Sequence, residues 1–260
     1  MEYALITGAS SGIGLELAKL FAQNGHHLIL VARREDKLHA LAKHITKHHP
    51  IDVQIIKKDL AETHAAVDIY DHCKEQNLVV HTLVNNAGVG SYGLFHESDL
   101  SSQLQMIHVN ISSLTALTRL FIPEMIKRKQ GKVLNVASTA AFQPCPFMAV
   151  YSATKSYVLS FSEAIGNELK NSGVTVTALC PGFTETEFGK RDGLQGVDVN
   201  KKYMMSASTV AKLGYRGLLR GKSTVITGTM NNVIVQANRL APRRAAVNIS
   251  RKVLESVGKK

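Results

Sequence analysis

Short apolar runs rich in β-branched residues alternate along this chain with longer stretches of helical periodicity. Seven runs are short enough to be strands, and six of them are each followed by a helical stretch. The predicted strands are Tyr3–Thr7, His27–Ala32, Val53–Lys57, Thr82–Asn85, Lys132–Ala137, Val174–Cys180 and Ser223–Thr227. The predicted helices are Ile13–Asn24, Glu35–His48, Ala61–Gln76, about Asp99–Lys129, Tyr151–Asn171 and Ser206–Arg220.

This alternation predicts an α/β fold with a doubly wound (Rossmann), mostly parallel seven-stranded sheet and helices on both faces. A length of 260 residues without repeats or a flexible linker fits a single domain. We expect that domain to span residues 1–228, with a substrate lid at about 183–205. Residues 229–260 form a basic C-terminal extension, expected to pack on or near the same domain.

A glycine-rich turn joins the first strand to the first helix. Its spacing is Gly-x-x-x-Gly-x-Gly, which lets backbone amides at a helix N-terminus approach a pyrophosphate. The alternative is a purely structural strand–helix connection. The residues predicted to contact a dinucleotide here are Gly8, Ser10, Ser11, Gly12, Ile13 and Gly14.

The end of the second strand predicts which dinucleotide binds. An acidic residue there would hold the ribose 2′-hydroxyl of NAD, but this chain has Ala32 followed by Arg33 and Arg34. A guanidinium binds a 2′-phosphate in bidentate fashion, so we predict NADP(H) with Arg33 as the main contact. Two exposed arginines capping a strand are the alternative.

Two further strand ends carry candidate contacts to the adenosine half. Asp59, followed by Leu60, lies where a carboxylate could meet the adenine amino group, although an ordinary helix N-cap is equally consistent. The small residues of Asn86-Ala87-Gly88 end the fourth strand and would let the backbone pass the adenine ribose. Taken alone, that sequence is also a good turn.

Tyr151 and Lys155 are spaced i and i+4, on one face of a predicted helix. Lowering the pKa of a tyrosine from about 10 to about 7 requires roughly 4 kcal/mol. One positive charge about 4 Å away supplies roughly that amount at an effective dielectric constant near 20. Lys155 is therefore expected to lower the pKa of Tyr151, which would act as acid or base on a carbonyl.

Two more polar residues complete the predicted catalytic group. Ser138, at the end of the fifth strand, can donate a hydrogen bond to a substrate oxygen, and a hydroxyl that caps the strand end is the alternative. Asn110 interrupts a long helix and marks a kink or a backbone contact. The second Tyr-x-x-x-Lys match, Tyr70 and Lys74, has no serine placed upstream and is interpreted as a solvated helix face.

Charge and cysteine content limit the partners. The net charge is +11, but the segment from Ala237 onward carries seven basic residues and one acidic residue, so the charge is local. We predict no nucleic-acid partner, and contact of the basic C-terminus with a membrane is a minor alternative. Three widely spaced cysteines and the absence of a leader predict a reducing, cytoplasmic location. The histidines lack partner ligands, so no metal is expected.

As an ordered set, these motifs resemble the short-chain dehydrogenase/reductase family over about residues 3–228. The resemblance implies a catalytic tetrad of Asn110, Ser138, Tyr151 and Lys155, with Lys155 on the nicotinamide ribose and Asn110 supporting a water relay. It also implies that the segment from Pro181 and Gly182 lies along the nicotinamide, with Thr184 or Thr186 near the carboxamide. The basic residue after Ala32 is similar to the NADP-preferring branch, and other runs look like a bacterial subgroup of unassigned substrate. Homodimers or homotetramers are expected.

The predicted function is reduction of a ketone, aldehyde or oxoacyl group on a mainly apolar small molecule. Large apolar side chains in and around the lid suggest this substrate, although several would simply pack the core. A non-catalytic NADPH-sensing regulator of the same fold is the alternative. The candidate pocket residues are Phe142, Phe147, Met148, Phe183, Phe188, Tyr203, Met204 and Met205.

Overall fold

The computed structural model describes residues 1–188 and 204–258, and in that part of the chain seven strands form one parallel sheet. The strands are β1 Glu2–Thr7, β2 His27–Ala32, β3 Val53–Lys57, β4 Val79–Asn85, β5 Gly131–Val136, β6 Val174–Cys180 and β9 Thr224–Ile226. Their order across the sheet is β3-β2-β1-β4-β5-β6-β9. A separate short pair consists of β7 Thr184–Glu185 and β8 Met205–Ser206.

Helices cover both faces of the sheet, as predicted. They are α1 Gly12–Gln23, α2 Glu35–His48, α3 Ala65–Glu75, α4 Leu100–Ile107, α5 Leu114–Lys127, α6 Ala149–Glu168, α7 Ala207–Leu219, α8 Thr229–Leu240 and α9 Arg243–Gly258. Successive strand residues point to opposite faces, so Ile6 joins a core with α1, α2 and α7 while Leu5 joins a core with α3 and α5. The predicted doubly wound α/β fold is confirmed.

The order of the strands creates a crevice at one edge of the sheet. From β1 the chain moves outward through β2 and β3, and then returns to the other side of β1 to form β4, β5 and β6. The loops that follow β1 and β4 therefore diverge at their carboxyl ends. Such a switch point is where open α/β sheets bind ligands.

Two predicted helices and the C-terminal extension differ in detail from the prediction. The helix predicted from Ala61 begins at Ala65, because the Asp59 carboxylate accepts a hydrogen bond from the Ala61 amide and holds a turn there. The predicted Asp99–Lys129 helix is divided by a π-helical segment, His108–Ser113, that contains Asn110. The C-terminal extension consists of two helices, α8 and α9.

Among the described residues, no helix is both long and apolar enough to cross a membrane.

Gly25 and Gly173 both have a left-handed backbone conformation, but only Gly173 is packed closely against other atoms. Substitutions at the two positions therefore separate the cost of a steric clash from the cost of backbone strain. Gly25 has φ +78° with nothing near its missing Cβ, whereas a Cβ on Gly173, with φ +83°, would lie 1.9 Å from the Lys129 carbonyl oxygen. We expect Gly25→Ala to lower the free energy of unfolding by about 1 kcal/mol. Gly173→Ala should cost about 3 kcal/mol or more, because the clash adds to the same strain. Urea denaturation measures both, and equal costs would contradict the packing.

Candidate active site

A cavity of about 1080 Å³ opens at the carboxyl ends of the central strands. Nearly all the residues predicted to bind the cofactor or to act in catalysis line it. They are Gly8, Ser10, Ser11, Gly12, Ile13, Arg33, Arg34, Asp59, Leu60, Asn86, Ala87, Gly88, Ser138, Tyr151, Lys155, Pro181, Gly182, Thr184 and Thr186. The structure therefore brings together side chains that are up to 178 positions apart in the sequence. Two predicted site residues, Gly14 and Asn110, lie behind this lining.

The glycine-rich turn presents backbone to the cavity. Gly8 and Gly12 have φ values of +66° and +56°, which a glycine adopts without strain. Ser11 is the N-cap of α1, but its side chain makes no capping hydrogen bond. The first amides of α1 are thus available to an anion from the cavity, as a pyrophosphate requires.

Gly14 has a structural role, in contrast to the predicted contact with the dinucleotide. It is buried, and a Cβ there would lie 2.4 Å from both the Gly8 carbonyl oxygen and the Asn86 Nδ2. Its missing side chain lets α1 pack against the turn. Asn86 has a structural role in the same region. Its side-chain Nδ2 donates to the Thr7 carbonyl at 2.9 Å, and Thr7 Oγ1 accepts from the backbone N–H groups of Asn86 and Ala87. These bonds tie the end of β4 to the glycine-rich turn.

Both arginines after β2 face the cavity. Arg34 donates to Ser10 Oγ in the glycine-rich turn at 3.0 Å and forms an ion pair with Glu187 at 2.8 Å. The Arg33 guanidinium is half exposed and lies 3.6 Å from the Asp59 carboxylate. A dinucleotide fits this arrangement, because free helix-terminal amides and two guanidinium groups line one end of the cavity.

Tyr151 and Lys155 project from α6 toward the end of β5, where Ser138 follows. Lys155 is buried and its Nζ donates to the Val136 carbonyl at 2.8 Å. The Nζ atom is 5.8 Å from the centre of the Tyr151 ring. Ser138 Oγ accepts from the Ala140 backbone N–H at 3.1 Å, which is the predicted capping role. The same hydroxyl also hydrogen-bonds the Tyr151 phenol.

Burial governs the pKa values of this pair. It raises the pKa of Tyr151 to about 12, and the hydrogen bond from Ser138 lowers it by less. It also lowers the pKa of Lys155 to about 8, because the ammonium is removed from water. The expected lowering of the Tyr151 pKa by Lys155 is therefore wrong for this structure, in which the lysine donates its hydrogen bond to a backbone carbonyl.

Asn110 acts on the backbone beside the cavity. Its Oδ1 accepts from the Val89 amide, and its Nδ2 donates to the Val89 carbonyl, both at 2.9 Å. A Cβ on Gly88 would lie 3.3 Å from both Asn110 Oδ1 and Lys155 Nζ. The π-helical segment thus places Asn110 against the loop after β4 and near the lysine, in accord with the backbone contact that its sequence position suggested.

The far wall of the cavity comes largely from α8 and α9, which sequence reasoning missed. Nine of their residues line it: Asn231, Ile234, Val235, Asn238, Ala246, Ile249, Ser250, Val253 and Leu254. The available signal was the i, i+3, i+4, i+7 spacing of the four residues on α8. Gln143 and Cys145, also missed, complete this wall, with Asn238 donating to Gln143 Oε1 and Tyr92 donating to the Leu254 carbonyl.

The predicted pocket residues divide into three groups. Those that line the cavity are Met148, Phe183, Phe188 and Met204. Those that pack elsewhere are Phe142, against the cluster between α6 and β6, Phe147, against Tyr92, and Met205, against the α1 core. Tyr203 and residues 189–203 of the predicted lid lie outside the described residues. Tyr70, predicted to be solvated, packs edge-on against Phe121 instead.

Comparison with known proteins identifies the family. The model of the short chain dehydrogenase family matches residues 2–195, and the chain belongs to this family of oxidoreductases. It is 34% identical to the very-long-chain 3-oxoacyl-CoA reductase of Anas platyrhynchos over 72% of this chain and 61% of that protein. The rat enzyme of the same name is 31% identical over 93% of this chain and 76% of its own length. The duck match thus spans less than two thirds of that protein.

A solved relative has the same fold. The short-chain dehydrogenase from Sphingobium yanoikuyae in complex with NADPH superposes with a TM-score of 0.82 and 30% identity, covering 92% of this chain and 94% of that one. The curated relatives named above are animal proteins, so the bacterial subgroup stays a prediction. What the matches establish is membership of the short-chain dehydrogenase family, and the relatives named above are a reductase and a dehydrogenase.

The pKa of Lys155 generates a prediction about pH. Because burial lowers that pKa to about 8, the ammonium is charged below this pH and loses its proton above it. If its charge stabilises the phenolate left when Tyr151 gives up a proton, kcat/KM for carbonyl reduction should fall as the pH rises through about 8. Initial rates from pH 6 to 10 test this, and a constant kcat/KM across that range would contradict it.

Proposed function

We propose that the protein reduces the carbonyl group of a mainly apolar substrate to an alcohol with NADPH. The observation that carries the proposal is the position of the Tyr151 phenol in the cavity. It lies with Ser138 and Lys155 in the same cavity as the glycine-rich turn on one side and the largely apolar wall of α8 and α9 on the other.

The chain's own residues would hold the dinucleotide. The α1 amides and the backbone of Gly8 and Gly12 suit its pyrophosphate, and Arg33 and Arg34 suit a 2′-phosphate. No acidic residue stands at the end of β2, where Ala32 is found. Bound NADPH supplies the hydride. Lys155 and the loop from Pro181 bound the cavity where the nicotinamide half would lie.

Tyr151 would be the acid. With its pKa raised to about 12, it keeps its proton at neutral pH and can give it to a carbonyl oxygen. The Ser138 hydroxyl donates a hydrogen bond to the same oxygen and stabilises the developing charge. Lys155, still mostly charged at neutral pH, stabilises the phenolate that remains. Asn110 positions the Val89 backbone beside this group.

The substrate's apolar body would lie against the far wall of the cavity. Met148, Phe188, Ile234 and Leu254 provide apolar surface, with Gln143 and Asn238 as polar groups among them. The curated relatives carry the name very-long-chain 3-oxoacyl-CoA reductase, which describes a carbonyl on a long apolar chain.

The same proposal includes a location and an oligomeric state. The cysteine content supports a cytoplasmic protein, and the family resemblance supports a homodimer or homotetramer.

Replacing the phenol tests the chemistry. Tyr151→Phe should lower kcat by at least about 100-fold, because the proton donor is lost while the ring stays. NADPH binding, followed by nucleotide fluorescence, should be retained. Tyr157→Phe is the matched control, since Tyr157 lies on the same helix and, within the described residues, its hydroxyl hydrogen-bonds only the Thr115 hydroxyl. Full turnover by Tyr151→Phe would mean that another group is the acid, whereas NADPH binding without any turnover by the wild type would favour the NADPH-sensing alternative.

Replacing the arginine tests the cofactor. Arg33→Ala should raise the KM for NADPH by about 10- to 100-fold, the value of a charge-assisted hydrogen bond to the 2′-phosphate. The KM for NADH should stay unchanged, which makes NADH the internal control. Initial rates with both nucleotides measure this, and an equal change for the two would refute a specific 2′-phosphate contact.

A further inference from the structure

An apolar stripe runs along the outer face of α8. Met230, Val233, Ile234 and Leu240 are 70%, 59%, 47% and 90% exposed. Their spacing places them on one side of the helix, next to the side that lines the cavity. Monomeric proteins rarely leave such a contiguous set of large apolar side chains in water without a partner.

The stripe continues to the mouth of the cavity. On α9, Ile249 and Val253 are one helical turn apart and are 60% and 48% exposed. Ile234, Ile249 and Val253 also line the cavity, so these three side chains face both the solvent and the interior of the site. The exposed face of the two helices and the far wall of the cavity are therefore one continuous apolar surface.

Basic residues accompany this surface. The described part of α8 and α9 carries Arg239, Arg243, Arg244, Arg251 and Lys252 against the single acid Glu255. Arg243 and Arg244 occupy the first turn of α9, where a positive charge opposes the helix dipole. Neither side chain makes an ion pair or hydrogen bond within the described residues.

We propose that the outer face of α8 and α9 docks on the surface of an anionic lipid bilayer. Apolar side chains bordered by arginine and lysine match the chemistry of an interfacial membrane helix. A second copy of the chain is a poorer occupant, because two surfaces of the same positive charge would repel each other. Nucleic acid would match the charge and leave the apolar stripe exposed.

Docking in this orientation places the cavity mouth on the bilayer. An apolar substrate dissolved in the membrane would then enter past Ile234, Ile249 and Val253 without crossing water. This delivery step rests on the proposed function, whereas the docking does not. The two are tested separately.

Vesicle binding by the full-length protein tests the docking. We expect it to sediment with vesicles of equal parts phosphatidylcholine and phosphatidylglycerol, and not with phosphatidylcholine alone. Arg243→Ser with Arg244→Ser should weaken binding by about fivefold for each charge removed, and high salt should weaken it in the wild type. The matched charge control is Lys43→Ser with Lys47→Ser on the exposed face of α2.

A second variant tests the apolar stripe. Met230→Gln with Val233→Gln should also weaken vesicle binding, whereas Val67→Gln, an exposed position on α3, should not. Turnover of a water-soluble ketone should be unchanged in the paired variants, since none of these residues lines the cavity. If the proposed function is wrong and the docking is right, the wild type will not turn over the ketone but will still bind the vesicles.

Three outcomes would overturn the docking proposal. The first is wild-type protein that stays in the supernatant with anionic vesicles. The second is equal binding by the stripe variant, the arginine variant and their controls. The third is a smaller oligomer for Met230→Gln with Val233→Gln in light scattering, without vesicle binding by the wild type, which would assign the stripe to a second copy of the chain.

Discussion

The divergence of the chain on either side of β1 is the constraint on which the site depends. Because β2 and β4 flank β1, the loops after β1 and β4 leave the sheet in opposite directions and a crevice opens between them. Hydrogen bonds between Thr7 and the Asn86-Ala87 backbone hold the two loops at fixed separation. The glycine-rich turn, the arginines and the α6 side chains all lie along that crevice. A change in strand order would separate them.

Within the crevice, burial outweighs direct attraction between charges. The Lys155 Nζ lies 5.8 Å from the centre of the Tyr151 ring, and at a separation of that order and an effective dielectric constant near 20 a charged Lys155 would favour a phenolate by only about 3 kcal/mol. Enclosure in protein opposes both charged forms, and so the pKa of Tyr151 rises while that of Lys155 falls. This balance suits a protonated phenol that delivers a proton during reduction. The reverse reaction would require more stabilisation of the phenolate than Lys155 supplies here.

Much of this arrangement is present in the sequence, and the remainder depends on tertiary contacts. Period-two and helical patterns predict the strands and helices, and the i, i+4 spacing predicts that Tyr151 and Lys155 share a face. Gly14 shows the limit: its neighbours in the chain suggest a ligand contact, but its role comes from the distant Asn86 side chain. The pKa of Tyr151 likewise depends on how completely the fold encloses it, which no spacing reveals.

The sequence predicts the role of the C-terminal helices least well. Their arginines indicate charge, whereas the residues of α8 that line the cavity are the neutral Asn231, Ile234, Val235 and Asn238. Only the path of the chain after β9 places them over the crevice.

The most direct test is a crystal structure of the protein with oxidised NADP and an apolar ketone, which do not react with each other because oxidised NADP carries no hydride. The ketone oxygen should lie about 2.6–3.2 Å from both the Tyr151 and Ser138 hydroxyl oxygens, with its apolar body against α8 and α9. A ketone bound elsewhere, with the phenol turned from it, would contradict the account.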